Sequence, residues 1–332
     1  MPANSPLPID AERPVAFFAN GIGDALLTLP ALRALTDIFS DRLTLVTHNR
    51  GNYIRLFEPL VTKRQIHIKS GTKCDWDVEE IDSLAESIGE CDLFISLVAW
   101  FSSSLDYLIE RLHPAVSIGY CANYDIALPR DYTKHTAELT FDAVRAISSD
   151  SRLRDFLGPP SYPEESNQMV KEIKSCLGSG VRILSVHTET LPEKMWNLDN
   201  FALVLDRFLT SHPEYIAVLV GYEDHPLKFS SEDNQNRFIH QKGFPLNDAL
   251  CLVHHSDCFL GIDSCMLHAA DLGHVPSVGL FGPTSAHEFG FLTGPNISIQ
   301  GPSDINRIEV DRVFAAMESI LRDPTQRAVW HL

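Results

Sequence analysis

Phe259-Leu260-Gly261-Ile262-Asp263-Ser264-Cys265-Met266-Leu267-His268-Ala269-Ala270, followed shortly by Val278-Gly279-Leu280-Phe281-Gly282-Pro283-Thr284, is the stretch on which the reading of this chain turns. An apolar run stops at an acidic residue. Ser264 then opens a helical pattern whose small residues Ala269 and Ala270 permit close packing, and a second apolar run stops at Gly-Pro-Thr. Strand, helix, strand, loop in this order is part of an α/β layer with parallel strands. At its first junction the leading N–H groups of the helix lack intrahelical partners and the helix dipole favours an anion. The backbone of Ser264, Cys265 and Met266 is therefore a candidate phosphate cradle. An ordinary crossover would read the same way, so the assignment needs further elements.

One lies far upstream, in Val15-Ala16-Phe17-Phe18-Ala19-Asn20-Gly21-Ile22-Gly23-Asp24-Ala25-Leu26-Leu27-Thr28-Leu29-Pro30-Ala31-Leu32-Arg33-Ala34-Leu35. Gly21-Ile22-Gly23 is not a dinucleotide fingerprint: Leu26 stands where the third glycine belongs, and Asp24 would set a carboxylate against a pyrophosphate. At a strand-to-helix turn an aspartate is either a helix cap or a base near a reacting hydroxyl. Another lies between the two, where the strand Ile183-Leu184-Ser185-Val186-His187 leads to Glu193-Lys194-Met195-Trp196-Asn197.

Together these segments resemble the ADP-heptose:lipopolysaccharide heptosyltransferase family, glycosyltransferase family 9, in order and spacing over nearly the whole chain. That family has a Gly-Asp loop before a Leu-Thr-x-Pro-Ala-x-Arg-Ala helix, then Lys-x-Trp-Pro, then Asp-[Ser/Thr]-Gly-x-x-His-x-Ala followed by Phe-Gly-Pro-Thr. Here Cys265 stands in place of the glycine of the last motif, which leaves the backbone less free to approach a diphosphate. The resemblance implies an α/β protein of GT-B fold, two Rossmann-like doubly wound domains facing a cleft. Residues 1–160 would form an acceptor-binding domain and 161–332 a nucleotide-sugar-binding domain whose last helix returns toward the first. It further implies an inverting, metal-independent glycosyltransferase with no cofactor, acting on ADP-heptose or a similar nucleotide sugar.

On the same resemblance Asp24 is the base that takes the acceptor proton, and Lys194 stabilises the leaving diphosphate. Thr190 adds a hydroxyl to the phosphates, and Glu223, after a strand end, holds the ribose hydroxyls. Asp263 binds the sugar or anchors its own loop, with Ser264, Cys265 and Met266 completing the donor site. His268 reads as structural. Gly23, Trp100, Asn123 and His135 are the acceptor-side candidates, with Tyr124 beside them, although each alone is equally consistent with packing.

Composition narrows the partners. The chain has 332 residues and a formal charge of −17, which excludes a nucleic-acid partner because a polyanion requires a basic surface. Bases in the first half, such as Arg33, Arg50, Lys63, Arg64, Lys69 and Lys73, are scattered among acids rather than gathered for a phosphorylated lipid. We therefore expect a small soluble acceptor, with transfer to the lipopolysaccharide inner core as the alternative. A noncatalytic nucleotide-sugar-binding protein is the rival of another class, and retention of both Asp24 and Lys194 speaks against it.

The start of the chain, Met1-Pro2-Ala3-Asn4-Ser5-Pro6, lacks the basic and apolar regions of a secretory signal, and the seven cysteines form no Cys-x-x-Cys pair. A cytoplasmic address and no stable membrane association are expected. No metal site is expected either. Asp75-Trp76-Asp77 has an Asp-x-Asp form but precedes a helix, and His254-His255 lacks companions at ligand spacing. Cys251, Cys258 and Cys265 do not reproduce clustered ligand pairs.

Periodicity places strands at 15–19, 43–47, 65–68 and 93–98, a further short one at 117–120, and helices at 25–38, 78–88, 104–112 and 137–147. Leu157-Gly158-Pro159-Pro160-Ser161-Tyr162-Pro163 breaks any regular element and reads as the interdomain linker. The alternation then restarts with helices at 165–176, 198–209 and 311–321 and strands at 181–186 and 215–220, while 230–236 reads as a polar segment.

Overall fold

The computed structural model describes residues 8–48, 56–68, 76–120, 123–223, 227–240, 242–323, 325 and 327–331. Arg50, Lys69, Lys73 and Asp75 lie outside the described residues. The chain divides into two compact units, Met1–Leu157 and Gly158–Leu332.

In the first unit six parallel strands, β1 (Pro14–Phe17), β2 (Thr44–His48), β3 (Arg64–Ile68), β4 (Leu93–Ser96), β5 (Val116–Gly119) and β6 (Ile126–Ala127), are ordered β3-β2-β1-β4-β5-β6. Strands β1, β2, β4 and β5 are buried along their whole length, as expected where helices cover both faces of a parallel sheet. The covering helices are α1 (Ile22–Phe39), α2 (Val78–Ile88), α3 (Ser103–Leu112) and α4 (Thr136–Arg145). Helix α1 is buried on almost every side, which its run of Leu and Ala requires, and it packs against α4. Helix α2 instead buries the stripe Ile81, Leu84, Ala85 and Ile88. Phe17 of β1 stacks on Phe94 of β4 and meets the edge of Trp76, which ties the start of α2 to the middle of the sheet.

The second unit repeats the design. Strands β7 (Arg182–His187), β8 (Tyr215–Leu219), β9 (Phe238–His240), β10 (Cys258–Ile262), β11 (Ser277–Phe281), β12 (Asn296–Gln300) and β13 (Arg327–His331) are parallel in the order β13-β12-β11-β10-β7-β8-β9. Its helices are α5 (Glu164–Leu177), α6 (Leu198–Ser211), α7 (Glu232–Asn236), α8 (Leu246–His254), α9 (Cys265–Leu272), α10 (Ala286–Phe289) and α11 (Val310–Arg322). The two sheets share one pattern: the chain starts in the middle, winds outward one way, then returns and winds the other.

Two details differ from the sequence reading. Residues 230–236, read as a polar segment, contain the short helix α7, capped by Ser231, whose hydroxyl accepts the Asn234 N–H. It persists because buried Asn234 donates its amide to Asp206 and Thr210 on α6. Strand β13 had no counterpart in the expected elements and pairs with β12 from 296 to 300. Helix α11 buries Val313, Ala316, Met317 and Ile320 in the core of its unit, against α6, β11 and β12.

Trp196 anchors this core. It is fully buried, sets its ring edge-on to Phe201 at 5.0 Å and donates its indole N–H to the Ile308 carbonyl at 3.2 Å. Trp196→Ala should therefore cost about 3–5 kcal/mol of unfolding free energy, measured by denaturant titration. Leu203→Ala, on the exposed face of α6, should stay within about 0.5 kcal/mol of wild type.

Candidate functional site

Where a parallel sheet reverses its strand order, the loops leaving the two central strands diverge and open a crevice at their C-terminal ends. In the second unit that point lies between β7 and β10. β7 delivers Thr188, Glu189, Thr190 and the short 3₁₀ turn Pro192–Lys194, while β10 delivers Asp263, Ser264 and α9. Three of the expected donor residues meet here. Lys194 Nζ lies 2.8 Å from Asp263 Oδ2, and the Thr190 hydroxyl donates to the Asp263 carbonyl at 3.3 Å. Asp263 is buried and its own N–H donates to Leu280 on β11, so the carboxylate is fixed from both sides of the turn.

Ser264 is the N-cap of α9 in extended conformation, yet its hydroxyl makes no cap bond and is buried without a hydrogen-bond partner. A hydroxyl so placed costs free energy until something fills its valence. Beside it lies the Cys265 thiol, next to the N–H groups of Cys265 and Met266. Burial pushes this thiol up to about 12, those two N–H groups oppose the rise, and the charge of Glu189 adds to it. The thiol is thus neutral at physiological pH and lies beside part of the N-terminal donor set. Met266 is buried and offers only its backbone, and His268 is buried within the same helix.

Two acids escaped the sequence reading. Glu189 accepts the N–H groups of Tyr222 and Glu223, the latter at 2.8 Å, and so clamps the turn after β8. A Cβ on Gly221 would come within 2.1 Å of the Glu189 carboxylate, so glycine at 221 makes room for it. That glycine was the available signal, but only the pairing of β7 with β8 gives it a partner. Glu288 on α10 is half-buried, and its carboxyl is held above the usual range by burial and by the charge of Asp263. Glu223 itself is exposed.

In the first unit the order reverses between β1 and β4. Helix α1 begins at Ile22 with Gly21 as its N-cap, three residues earlier than the expected start at Ala25. Gly23 and Asp24 accordingly sit in its first turn instead of in a loop. A Cβ built on Gly21 would lie 3.7 Å from Asp24 Oδ2, so the half-buried carboxylate folds back over the helix N-terminus. Across the crevice the Trp100 indole N–H donates to Asn20 Oδ1, joining the ends of β4 and β1.

The remaining acceptor-side candidates hold local structure. Buried His135 is the N-cap of α4, its Nδ1 accepting the Ala137 N–H at 3.2 Å. Asn123 donates to Asp106 at 2.9 Å, and Tyr124 packs under Gly119. Asp77 is the N-cap of α2 in a reciprocal capping box with Glu80, which occupies its carboxylate. His254 and His255 stack at 4.6 Å. Among the described residues, no three His, Cys, Asp or Glu side chains group to hold a metal ion.

The Glu288 shift has a consequence for stability. A carboxyl raised in the folded state binds more protons folded than unfolded, so stability falls as pH rises from its ordinary value near 4.5 through the folded value. Glu288→Gln should leave the melting temperature unchanged below that window and raise it at neutral pH, as scanning calorimetry across pH 4–8 would register.

No family model and no curated protein sequence matches the chain. Solved structures do. A glycosyl transferase family 9 structure from Veillonella parvula is 20% identical, with a TM-score of 0.75 over 96% of this chain and 100% of that one. Escherichia coli ADP-heptose lps heptosyltransferase II is 16% identical, with a TM-score of 0.67 over 93% of this chain and 98% of that one. E. coli heptosyltransferase WaaC with ADP is 15% identical, with a TM-score of 0.64 over 92% and 99%. These likenesses establish the architecture: the chain has the α/β, GT-B fold of the heptosyltransferase structures.

Proposed function

We propose that this protein is an inverting, metal-independent glycosyltransferase that moves a heptose or related sugar from an ADP-sugar to a small soluble acceptor. The observation that carries the reading is the cluster at the β7/β10 reversal. Lys194, Thr190 and the N-terminus of α9 converge there around a buried Asp263, with the Ser264 hydroxyl awaiting an acceptor. The similar structures of E. coli heptosyltransferase WaaC with ADP and with ADP-2-deoxy-2-fluoro heptose support the choice of donor.

In the proposed reaction an acceptor hydroxyl attacks the anomeric carbon while the bond from that carbon to the diphosphate oxygen breaks. Asp24 takes the hydroxyl proton, and the departing ADP carries the electron pair. Negative charge grows on the bridging oxygen, where an ammonium and preorganised N–H groups lower the barrier most. The paired state of Lys194 matters here: its bond to Asp263 holds the ammonium in place before substrate arrives. Glu223 is proposed to hold the ribose hydroxyls, Asp263 to orient the sugar, and Trp100, tied to the loop that precedes Asp24, to contribute to the acceptor surface.

The charge of −17 supports a soluble acceptor over an anionic lipid. Among the described residues no helix is long and apolar enough to cross a membrane. A cytoplasmic location fits the scattered cysteines.

ADP release from ADP-heptose in the presence of an acceptor panel tests the reading. Asp24→Asn should lower turnover about a hundredfold or more while leaving donor affinity close to wild type. Lys194→Ala should lose about 3–4 kcal/mol of transition-state stabilisation, and EDTA should have no effect. Turnover by Asp24→Asn at the wild-type rate would remove the base assignment, and restoration by Mg²⁺ after EDTA would remove the metal-independent mechanism. Preferential transfer to a lipid A precursor would replace the soluble acceptor by lipopolysaccharide.

A separate outcome follows from the thiol over the α9 terminus. Cys265→Gly removes the thiol beside the N–H groups of residues 265 and 266 and should tighten ADP binding by isothermal calorimetry. Unchanged or weaker binding would show that the diphosphate does not use those groups.

A further inference from the structure

Tyr222 is 70% exposed, the most exposed large apolar side chain among the described residues. Its backbone, by contrast, is pinned. The Tyr222 N–H donates to Glu189, its carbonyl accepts the Gly243 N–H at 2.9 Å, and the adjacent Gly221 carbonyl accepts the Phe244 N–H at 3.0 Å. A ring carried on a mobile loop would lose much of any binding energy to ordering, whereas a ring on a braced turn is already positioned.

Its place on the sheet is equally specific. Tyr222 follows β8, which lies beside β7, which lies beside β10. Residue 222 thus stands at the C-terminal edge two strands, about 10 Å, from the Asp263 turn, with Thr190 and Glu189 on the strand end between them. Leu191, also largely exposed, sits on the loop of that middle strand. A nucleoside that ran along this edge from a diphosphate at the α9 N-terminus would reach the Tyr222 turn.

We infer that Tyr222 is a donor-binding residue whose ring is the stacking surface for the nucleobase of the donor. The inference rests on the proposed nucleoside-diphosphate-sugar reading. A flat π-face recognises a base through stacking and leaves the diphosphate contacts to the residues already described. Glu189 acts through Tyr222 by holding the turn that presents it.

Calorimetric titration of wild type, Tyr222→Phe and Tyr222→Ala with ADP and with inorganic pyrophosphate tests the assignment. Circular dichroism would verify that the variants fold, as expected for an exposed side chain. Tyr222→Ala should weaken ADP binding about tenfold and leave pyrophosphate binding unchanged, and Tyr222→Phe, which keeps the ring, should bind ADP as wild type does. Wild-type ADP affinity in Tyr222→Ala overturns the stacking role and leaves the glycosyltransferase reading standing. An equal loss for ADP and pyrophosphate also overturns it, since the turn rather than the base contact would then be responsible. Failure of the wild-type protein to bind ADP takes the donor reading down together with the inference.

Discussion

Parallel pairing is the constraint from which the rest of this molecule follows. Two parallel strands cannot be joined by a tight turn, so the chain must cross the sheet between them, here mostly by helices. Both faces of each sheet are then covered, the central strands carry apolar side chains on both sides, and polar residues are driven to the strand ends. At the C-terminal ends, where helices begin, free N–H groups collect. Asp24 and Asp263 each follow a central strand at a point of reversal, Asp24 in the first turn of the helix after β1 and Asp263 just before the N-cap of the helix after β10. Their environments separate their roles: Asp24 is half-buried over a helix N-terminus, while Asp263 is buried and paired with an ammonium.

Charge at the second of these points, the proposed phosphate site, is unusually acidic for that role. Lys194 is hydrogen-bonded to Asp263, the charge of Asp263 reaches Glu288, and Glu189 acts on the Cys265 thiol. Under the proposed reading, the attraction a diphosphate would meet there rests on the Lys194 ammonium and on the backbone N–H groups at the start of α9, beside a neutral thiol. A buried carboxylate paired with one lysine is retained at a cost in desolvation, and loss of either partner would strand the other. Such a site holds its lysine in a defined place rather than offering a broad positive field.

Much of the architecture was legible from one residue to the next. Apolar runs ending in turn residues located the central strands, and the acids that precede Val78, with the periodicity of 78–88, marked α2 from its first residue to its last. Short-range patterns of this kind carry their own physics. Elements stabilised from a distance were not legible: α7 depends on Asn234 reaching α6, and β13 exists through its pairing with β12. The early start of α1 was hidden because Gly21 and Gly23 read as loop, although glycine serves as an N-cap as readily as it fills a turn.

The candidate site divides along the same line. From sequence alone came the residue types, a Lys, an Asp-Ser and a Gly-Asp each placed where an apolar run gives way to a helix, because strand ends and helix starts are written locally. Tertiary structure decided which of them meet. Lys194 and Asp263 are far apart in sequence and become an ion pair through the adjacency of β7 and β10. Glu189 became the brace of the Tyr222 turn through the adjacency of β7 and β8. His135 and Asp77 became caps because helix N-termini needed acceptors there. Sequence specifies which strands and helices form by short-range pattern, whereas a site is assembled by strand order, and strand order is a property of the whole sheet.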